Sequence, residues 1–149
     1  MATNIYDKLR AGVTTTSAGE TQAIAAELAL ALPADTTLAL HGDLGVGKTT
    51  FVQGLARGLG ITEPVTSPTF TLYTLHRGPR CLLAHLDAYR LENGAQLDSL
   101  MLDDFLVSPY CLAIEWPEHV ANWLPPGTLH LDLGILADTS AHRIVLRSS

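Results

Sequence analysis

The sequence predicts a three-layer α/β fold whose central sheet is mainly parallel and is extended by antiparallel edge hairpins. Three observations lead to this prediction. A short apolar strand at residues 36–41 runs into a glycine-rich loop and then into a helix that begins at Lys48. Residues 110–114 form a near-continuous apolar run, as in a strand that is buried on both faces of a parallel sheet. Two other pairs of strand-like runs are each joined by a short turn, which favours hairpins.

The glycine-rich loop carries the strongest functional signal. Residues 42–49, GDLGVGKT, fit the phosphate-loop pattern G-x-x-x-x-G-K-[ST] without a mismatch. Glycines let the backbone curl so that successive N–H groups face an anion, and the start of the next helix adds its positive dipole end. Lys48 can approach the outer phosphates, and the Thr49 hydroxyl can ligate Mg²⁺. We therefore expect a nucleoside triphosphate site within a fold of the P-loop NTPase type.

Length and composition indicate one ordinary globular domain spanning residues 1–149, with 47% hydrophobic and 16% charged residues. The formal net charge of −6 argues against a large nucleic-acid surface, which usually needs a basic face. No apolar run approaches the roughly 20 residues of a membrane span, and the first residues do not resemble a signal peptide. We expect a cytoplasmic protein with no membrane association.

The N-terminal third predicts an edge strand and then a helix. Residues 5–16 suggest the strand, without fixing its extent. Ser17 and Glu20 fit a capping box, in which Ser17 is the N-cap and Glu20 reaches back to the Ser17 N–H. Apolar residues then recur at helical spacing, at Ile24, Leu28 and Leu32. This helix should end before Pro33.

The middle of the chain predicts an exposed loop followed by a hairpin. The loop places three hydroxyls shortly after the phosphate-loop helix, at Thr66, Ser67 and Thr69. Such hydroxyls can sense a γ-phosphate and its metal, or they can simply cap turns in a solvated loop. The hairpin arms are residues 70–75 and 81–86, and the second arm leads to Asp87. A carboxylate at a strand end can bind a Mg²⁺-bound water, although it is also a common surface feature.

Residues 94–106 predict a helix with a solvated acidic side, and residues 118–124 predict a short one. Between them lies the second strong signal, because the apolar run at 110–114 ends in Glu115. Phosphate-loop enzymes hold Mg²⁺ between the loop hydroxyl and an acid at the tip of a buried neighbouring strand. That acid is usually Asp, but the longer Glu115 carries the same charge and can ligate the metal directly or through water.

Four segments, taken in order, resemble the TsaE family, also called YjeE, of small bacterial ATPases in tRNA threonylcarbamoyladenosine modification. They are GDLGVGKTT, VTSPTF, HLDAYR and AIEWPE. The phosphate loop is common to many families, but the pattern HxDxYR followed by a strand that ends in Glu-Trp is specific. The resemblance covers nearly the whole chain.

The resemblance implies that residues 42–50 bind the phosphates of ATP and that Thr49 and Glu115 hold Mg²⁺. It places Asp87 in a second acidic motif beside the metal and the γ-phosphate, and Arg143 at a C-terminal basic position near the nucleotide. Lys48, Asp87 and Glu115 are then the expected catalytic residues. The switch-like loop would contain Thr66, Ser67 and Thr69. The residues assigned to the nucleotide are Gly42, Asp43, Leu44, Gly45, Val46, Gly47, Lys48, Thr49, Thr50 and Arg143.

The resemblance also implies a function for the whole chain. It implies an ATPase that acts on a complex of TsaD and TsaB, which transfers the threonylcarbamoyl group to tRNA. The tRNA would be held chiefly by that complex, in keeping with an acidic chain. Two alternatives stay open: a nucleotide-gated binding module that needs no turnover, and a small-molecule kinase. A kinase is disfavoured because the chain has little room for an acceptor pocket and a closing lid. A GTPase is disfavoured relative to an ATPase, because the chain lacks the Asn-Lys-x-Asp segment that recognises guanine.

Overall fold

The computed structural model describes residues 4–43, 45–66, 72–99 and 101–147. Its helices are α1 (Ile5–Ala11), α2 (Ala18–Ala31), α3 (Lys48–Gly58), α4 (Ala95–Ser99), α5 (Leu102–Phe105) and a 3₁₀ helix (Pro117–Trp123). Its strands are β1 (Val13–Thr15), β2 (Thr36–His41), β3 (Tyr73–Arg77), β4 (Leu82–Asp87), β5 (Tyr110–Glu115), β6 (Leu129–Ile135) and β7 (His142–Leu146). No helix in these ranges is long and apolar enough to cross a membrane.

The seven strands form one sheet in the order β1-β7-β6-β2-β5-β4-β3. The four inner strands β6, β2, β5 and β4 run parallel to one another. The remaining pairs, β1 with β7, β7 with β6 and β3 with β4, are antiparallel. The predicted fold class, a mainly parallel sheet with antiparallel edges, is therefore confirmed, as are both hairpins. The first arm of the earlier hairpin was predicted over residues 70–75, of which 70 and 71 lie outside the described residues, and its strand runs on to Arg77.

Helices cover both faces of this sheet and complete three layers. On one face, side chains of α1, α2 and α3 join Leu38, Leu40 and Leu83 in the larger hydrophobic core. On the other face, Leu97 of α4, Leu102 of α5 and Val120 of the 3₁₀ helix form a second core with β4 and β5. The glycine loop and α3 thus lie on the α1–α3 face, directly over the parallel strands.

The predicted N-terminal strand is only partly correct, because the chain first forms α1. Asn4 caps this helix by accepting a hydrogen bond from the Asp7 N–H at 2.9 Å. Ile5 and Leu9, one helical turn apart, are both buried in the larger core. The helix ends at Gly12, and only Val13–Thr15 forms the edge strand beside β7. A two-turn helix has too few periodic positions to stand out from a strand in the sequence.

The capping box of α2 is confirmed at Ser17, whose Oγ accepts from the Glu20 N–H at 3.1 Å. The predicted return contact is wrong by one residue, because Glu20 accepts from the N–H and hydroxyl of Thr16. The predicted stripe is partly confirmed, because Leu28 is buried and the half-buried Ile24 and Leu32 pack against the larger core. The fully buried stripe is wider than predicted. Its members are Thr21, Ala25, Leu28 and Ala29. Small residues face inward because α2 packs closely against α3.

The single helix predicted over residues 94–106 is in fact two short helices, α4 and α5. They are separated at Met101, whose φ of 55° is left-handed. Leu97 and Leu102 are five residues apart, so a straight helix would point them about 140° away from each other. The break allows both side chains to enter the same core, and it leaves Met101 62% exposed.

The contact between α2 and α3 requires glycine at position 54. A Cβ at Gly54 would lie 2.5 Å from the Gln22 carbonyl oxygen of α2. We expect Gly54→Ala to destabilise the fold by about 1–3 kcal/mol, because the overlap with backbone outweighs the better helix propensity of alanine. Urea unfolding measures this. Gly19→Ala is the control, since the nearest atom there is Ser17 Oγ at 3.8 Å. Equal midpoints for Gly54→Ala and the wild type would contradict the prediction.

Candidate nucleotide-binding site

The carboxyl ends of three parallel strands meet at one edge of the sheet and form a cleft. The glycine loop follows β2, Asp87 ends β4 and Glu115 ends β5. The cleft has a volume of about 320 Å³. It is lined by Gly45, Gly47, Lys48, Thr49, Thr50, Asp87, Glu115 and Trp116. In open α/β sheets this edge is where ligands bind.

The glycine loop has the curled backbone that its sequence predicts. Gly42, Gly45 and Gly47 have φ values of 147°, 84° and 96°. A Cβ at Gly42 would lie 2.5 Å from the Leu133 carbonyl oxygen, so only glycine fits there. Gly47 caps α3 without a side-chain hydrogen bond, which leaves the first N–H groups of the helix without a side-chain partner from the cap. The helix begins at Lys48, as predicted.

Lys48 lies on the floor of the cleft and is only 5% exposed. Its Nζ donates to the Gly42 carbonyl oxygen at 2.6 Å and lies 3.7 Å from the centre of the Trp116 ring. Burial lowers the pKa of the ammonium, and nearby carboxylates, Glu115 first, partly offset that effect. Both close partners are neutral groups, so the charge of Lys48 stays available to an anion in the cleft.

Glu115 is 5% exposed and lies between two elements of the site. Its Oε2 is 3.4 Å from the Thr49 hydroxyl, in the first turn of α3. The same oxygen is 2.6 Å from His85 Nε2. A carboxylate oxygen can only accept, so His85 Nε2 is the donor in this hydrogen bond. This hydrogen bond fixes the orientation of the Glu115 carboxylate inside the protein.

The side chains at this edge fit a magnesium ion. Thr49, Glu115 and Asp87 supply hydroxyl and carboxylate oxygens, the ligands that Mg²⁺ prefers. Asp87 is the direct register partner of Glu115 across β4 and β5, and its Oδ1 accepts from the Tyr89 N–H at 3.0 Å. Within the described ranges, no three His, Cys, Asp or Glu residues form a complete metal cage. Mg²⁺ typically uses one or two carboxylates together with phosphates and water, so such a cage is not required.

Three further side chains contact the site. The sequence assigned no role to His85 or His142 and left open whether Trp116 shields the site or only packs. His85 is fully buried and holds Glu115, while Trp116 covers Lys48 and packs on Tyr89 with ring centres 5.1 Å apart. His142, at the start of β7, donates from Nδ1 to the Val46 carbonyl oxygen at 2.9 Å. Strand alternation places His85 on the same face as Asp87, so the sequence held a signal for His85. Nothing in the sequence linked His142 to the loop.

Other predicted site residues lie outside the cleft. Arg143 is exposed on β7, and its guanidinium donates to the Ala11 carbonyl oxygen at 3.4 Å. It points to the opposite side of the strand from His142, so its nucleotide contact stays a prediction. Asp43 and Thr66 are exposed. Leu44, Ser67 and Thr69 lie outside the described residues, and their assignments also stay predictions.

Comparison with known proteins supports the resemblance seen in the sequence. A family model described as threonylcarbamoyl adenosine biosynthesis protein TsaE matches residues 15–145. A tRNA threonylcarbamoyladenosine biosynthesis protein TsaE of Treponema pallidum is 43% identical over 103 residues, which cover 69% of this chain and 76% of that protein. The protein of the same name from Nostoc sp. is 50% identical over 93 residues, 60% of this chain but only 57% of the Nostoc protein.

The fold is also similar to a solved structure. The crystal structure of YdiB from Bacillus subtilis superposes with a TM-score of 0.75 at 31% identity, covering 93% of this chain and 85% of that one. The family match spans the glycine loop, both acidic strand ends and the last hairpin. The chain therefore belongs to the TsaE family, which takes part in tRNA threonylcarbamoyladenosine biosynthesis.

Proposed function

We propose that this chain binds ATP together with Mg²⁺ and hydrolyses it, and that it thereby acts on the TsaD–TsaB complex during tRNA modification. One observation carries the proposal. Glu115 at the end of a buried parallel strand lies 3.4 Å from the hydroxyl of Thr49, the last residue of the phosphate-loop pattern. This pairing of a strand-end acid with a loop hydroxyl is the arrangement that holds Mg²⁺ in P-loop NTPases.

Each side chain then has a defined task. The N–H groups of the glycine loop and of the first turn of α3 bind phosphate oxygens. Lys48 turns its ammonium to the outer phosphates, where its charge is little screened because the residue is buried. Thr49 and Glu115 would hold Mg²⁺, which would supply positive charge against the phosphates. No covalent intermediate is needed.

Asp87 is assigned to the attacking water. Its carboxylate lines the cleft beside Glu115, and the Tyr89 N–H fixes its orientation. A fixed carboxylate in this position can orient a water for in-line attack. The Trp116 ring covers the Lys48 ammonium, whose Nζ lies 3.7 Å from the ring centre. A small-molecule kinase is disfavoured because a chain of 149 residues has little room for an acceptor pocket and a closing lid.

The partner part of the proposal rests on family membership and charge. The family works in a tRNA modification pathway, yet this chain has a formal net charge of −6. An acidic chain is poorly suited to hold a tRNA backbone by itself. We therefore assign tRNA binding to the TsaD–TsaB complex, and nucleotide-dependent control of that complex to this chain.

Phosphate release from ATP and GTP, with and without purified TsaD–TsaB complex and tRNA, tests the proposal. We expect slow release from ATP by the chain alone and a faster rate with the partners. Equal rates with and without partners would indicate an independent enzyme. If ATP analogues that resist hydrolysis support full modification, the chain is a nucleotide-gated binding module and the proposed need for turnover is wrong.

A further inference from the structure

We infer that His142 of β7 orients the peptide group between Val46 and Gly47, and so helps the glycine loop recognise a di- or triphosphate. The inference rests on the proposed function and adds a positioning residue to it. The observation that supports it is the hydrogen bond of 2.9 Å from His142 Nδ1 to the Val46 carbonyl oxygen. It joins two segments that are 96 residues apart in the sequence.

His142 is held rigidly enough to act in this way. In the register of the sheet it lies between Thr15 of β1 and Ile135 of β6, so backbone pairing on both sides fixes its position. Ile144 and Leu146, on the same face of β7, are buried in the larger core. The His142 ring therefore reaches the loop from a firmly anchored strand, not from a turn.

Because a peptide group is planar, the hydrogen bond to the Val46 carbonyl also fixes the direction of the Gly47 N–H. The Val46–Gly47 peptide bond is trans, since the one cis bond in the described ranges is Ser108–Pro109. In a planar trans peptide the C=O and the following N–H point in opposite directions. Because the Val46 carbonyl points to His142, the Gly47 N–H points away from His142. Phosphate loops bind their anion through N–H groups of this kind.

A hydrogen bond at the Val46 carbonyl matters because the next residue, Gly47, is a glycine with wide conformational freedom. Its φ of 96° is left-handed, and glycine can reach several backbone conformations at low cost. The peptide before a glycine can therefore rotate and turn its N–H away from the anion. The hydrogen bond from His142 favours one orientation before any ligand binds. A Cβ at Gly47 would lie 3.4 Å from the His142 ring, so ring and loop are in close contact.

The experiment compares His142→Leu with His142→Asn, whose side-chain amide keeps a donor near the position of Nδ1. ADP affinity is measured by calorimetry, together with the melting temperature of each variant. We expect His142→Leu to weaken ADP binding about tenfold, the effect of one hydrogen bond, and His142→Asn to stay within about threefold of the wild type. The control is His130→Leu, which removes a half-buried histidine that bonds His41 at 2.8 Å, outside the cleft. It should leave ADP binding unchanged.

A second readout follows the Gly47 amide by NMR during titration with inorganic pyrophosphate. In the wild type and in His142→Asn, the amide proton should shift strongly as it bonds a phosphate oxygen, and the shift should be much smaller in His142→Leu. Equal ADP affinities and equal shifts in all variants would overturn the inference and leave the proposed function standing. Equal losses in the Leu and Asn variants would also overturn it, because the donor would not matter. A wild-type chain that binds neither ADP nor pyrophosphate would overturn both.

Discussion

Replacing Lys48 with methionine should abolish ATP turnover while the chain stays folded. Methionine has a similar length, so it fills the buried site, and its sulfur can still pack on Trp116. What is lost is the one ammonium on the cleft floor. Removing such a preorganised charge typically costs about 10²- to 10³-fold in rate. Phosphate release from ATP measures the loss. Lys8→Met is the control, since Lys8 is exposed and forms a surface ion pair with Glu27.

At neutral pH, Lys48→Met should be at least as stable as the wild type. Burial lowers the pKa of Lys48 in the folded chain, so the charged form is disfavoured there relative to the unfolded chain. Below that lowered pKa the wild type bears the full penalty, and the penalty fades as pH rises toward the unfolded value of 10.5. Lys48→Met should therefore melt at the same or a higher temperature at pH 7, with an advantage that shrinks in alkali. Retained turnover, or an equal loss in Lys8→Met, would remove Lys48 from the mechanism.

Replacing Glu115 with glutamine should remove the effect of Mg²⁺ on nucleotide binding. The amide keeps the size of the side chain but loses the negative charge that a hard cation needs. We expect affinity for ATP in Mg²⁺ to fall by about 10²-fold, toward the value in EDTA, and affinity in EDTA to change little. Titrations in both buffers measure this difference. Glu118→Gln is the matched control, because Glu118 is exposed and the charge change is identical.

His85 offers a second way to test the same carboxylate. His85→Leu removes the 2.6 Å hydrogen bond that orients Glu115, without removing the carboxylate itself. Loss of a residue that orients a metal ligand typically costs 10- to 100-fold in metal affinity. Its effect should therefore appear in Mg²⁺ and not in EDTA, as for Glu115→Gln. If Glu115→Gln shows an unchanged dependence on Mg²⁺, Glu115 does not ligate the metal.

The parts of the fold that the sequence predicted correctly have strong local patterns. Residues 36–41 and the run that ends at Glu115 are apolar and bounded by turns, and both form parallel strands as expected. The α2 cap at Ser17 follows from side-chain chemistry that acts over three residues. The wrong predictions concern segments whose local sequence pattern is weak or whose conformation depends on tertiary packing. The two-turn α1 is too short to show a period, and the break at Met101 exists because two leucines must reach one core.

The candidate site likewise has parts that the sequence predicts and parts that it does not. The glycine loop is a contiguous motif, so its conformation and the start of α3 at Lys48 could be predicted. Glu115 could be placed because strand ends of a parallel sheet meet at one edge. The contact of His142 with Val46 could not be predicted, because it depends on how far β7 extends beside β6 and β1. The family resemblance points to Arg143, which is next to His142 but on the other side of the strand, and its nucleotide contact stays a prediction.

The tight glycine contact between α2 and α3 has a consequence for how the site responds to a ligand. Gly54 and Gly58 bring the α3 backbone so close to Gln22 and Ala26 of α2 that the helices cannot shift against each other without backbone overlap at these two positions. The amino end of α3, with Lys48 and Thr49, is thereby preorganised, and little conformational entropy remains to be lost there when an anion arrives. Any large structural response to the bound nucleotide must then arise in segments that do not belong to this pair of helices.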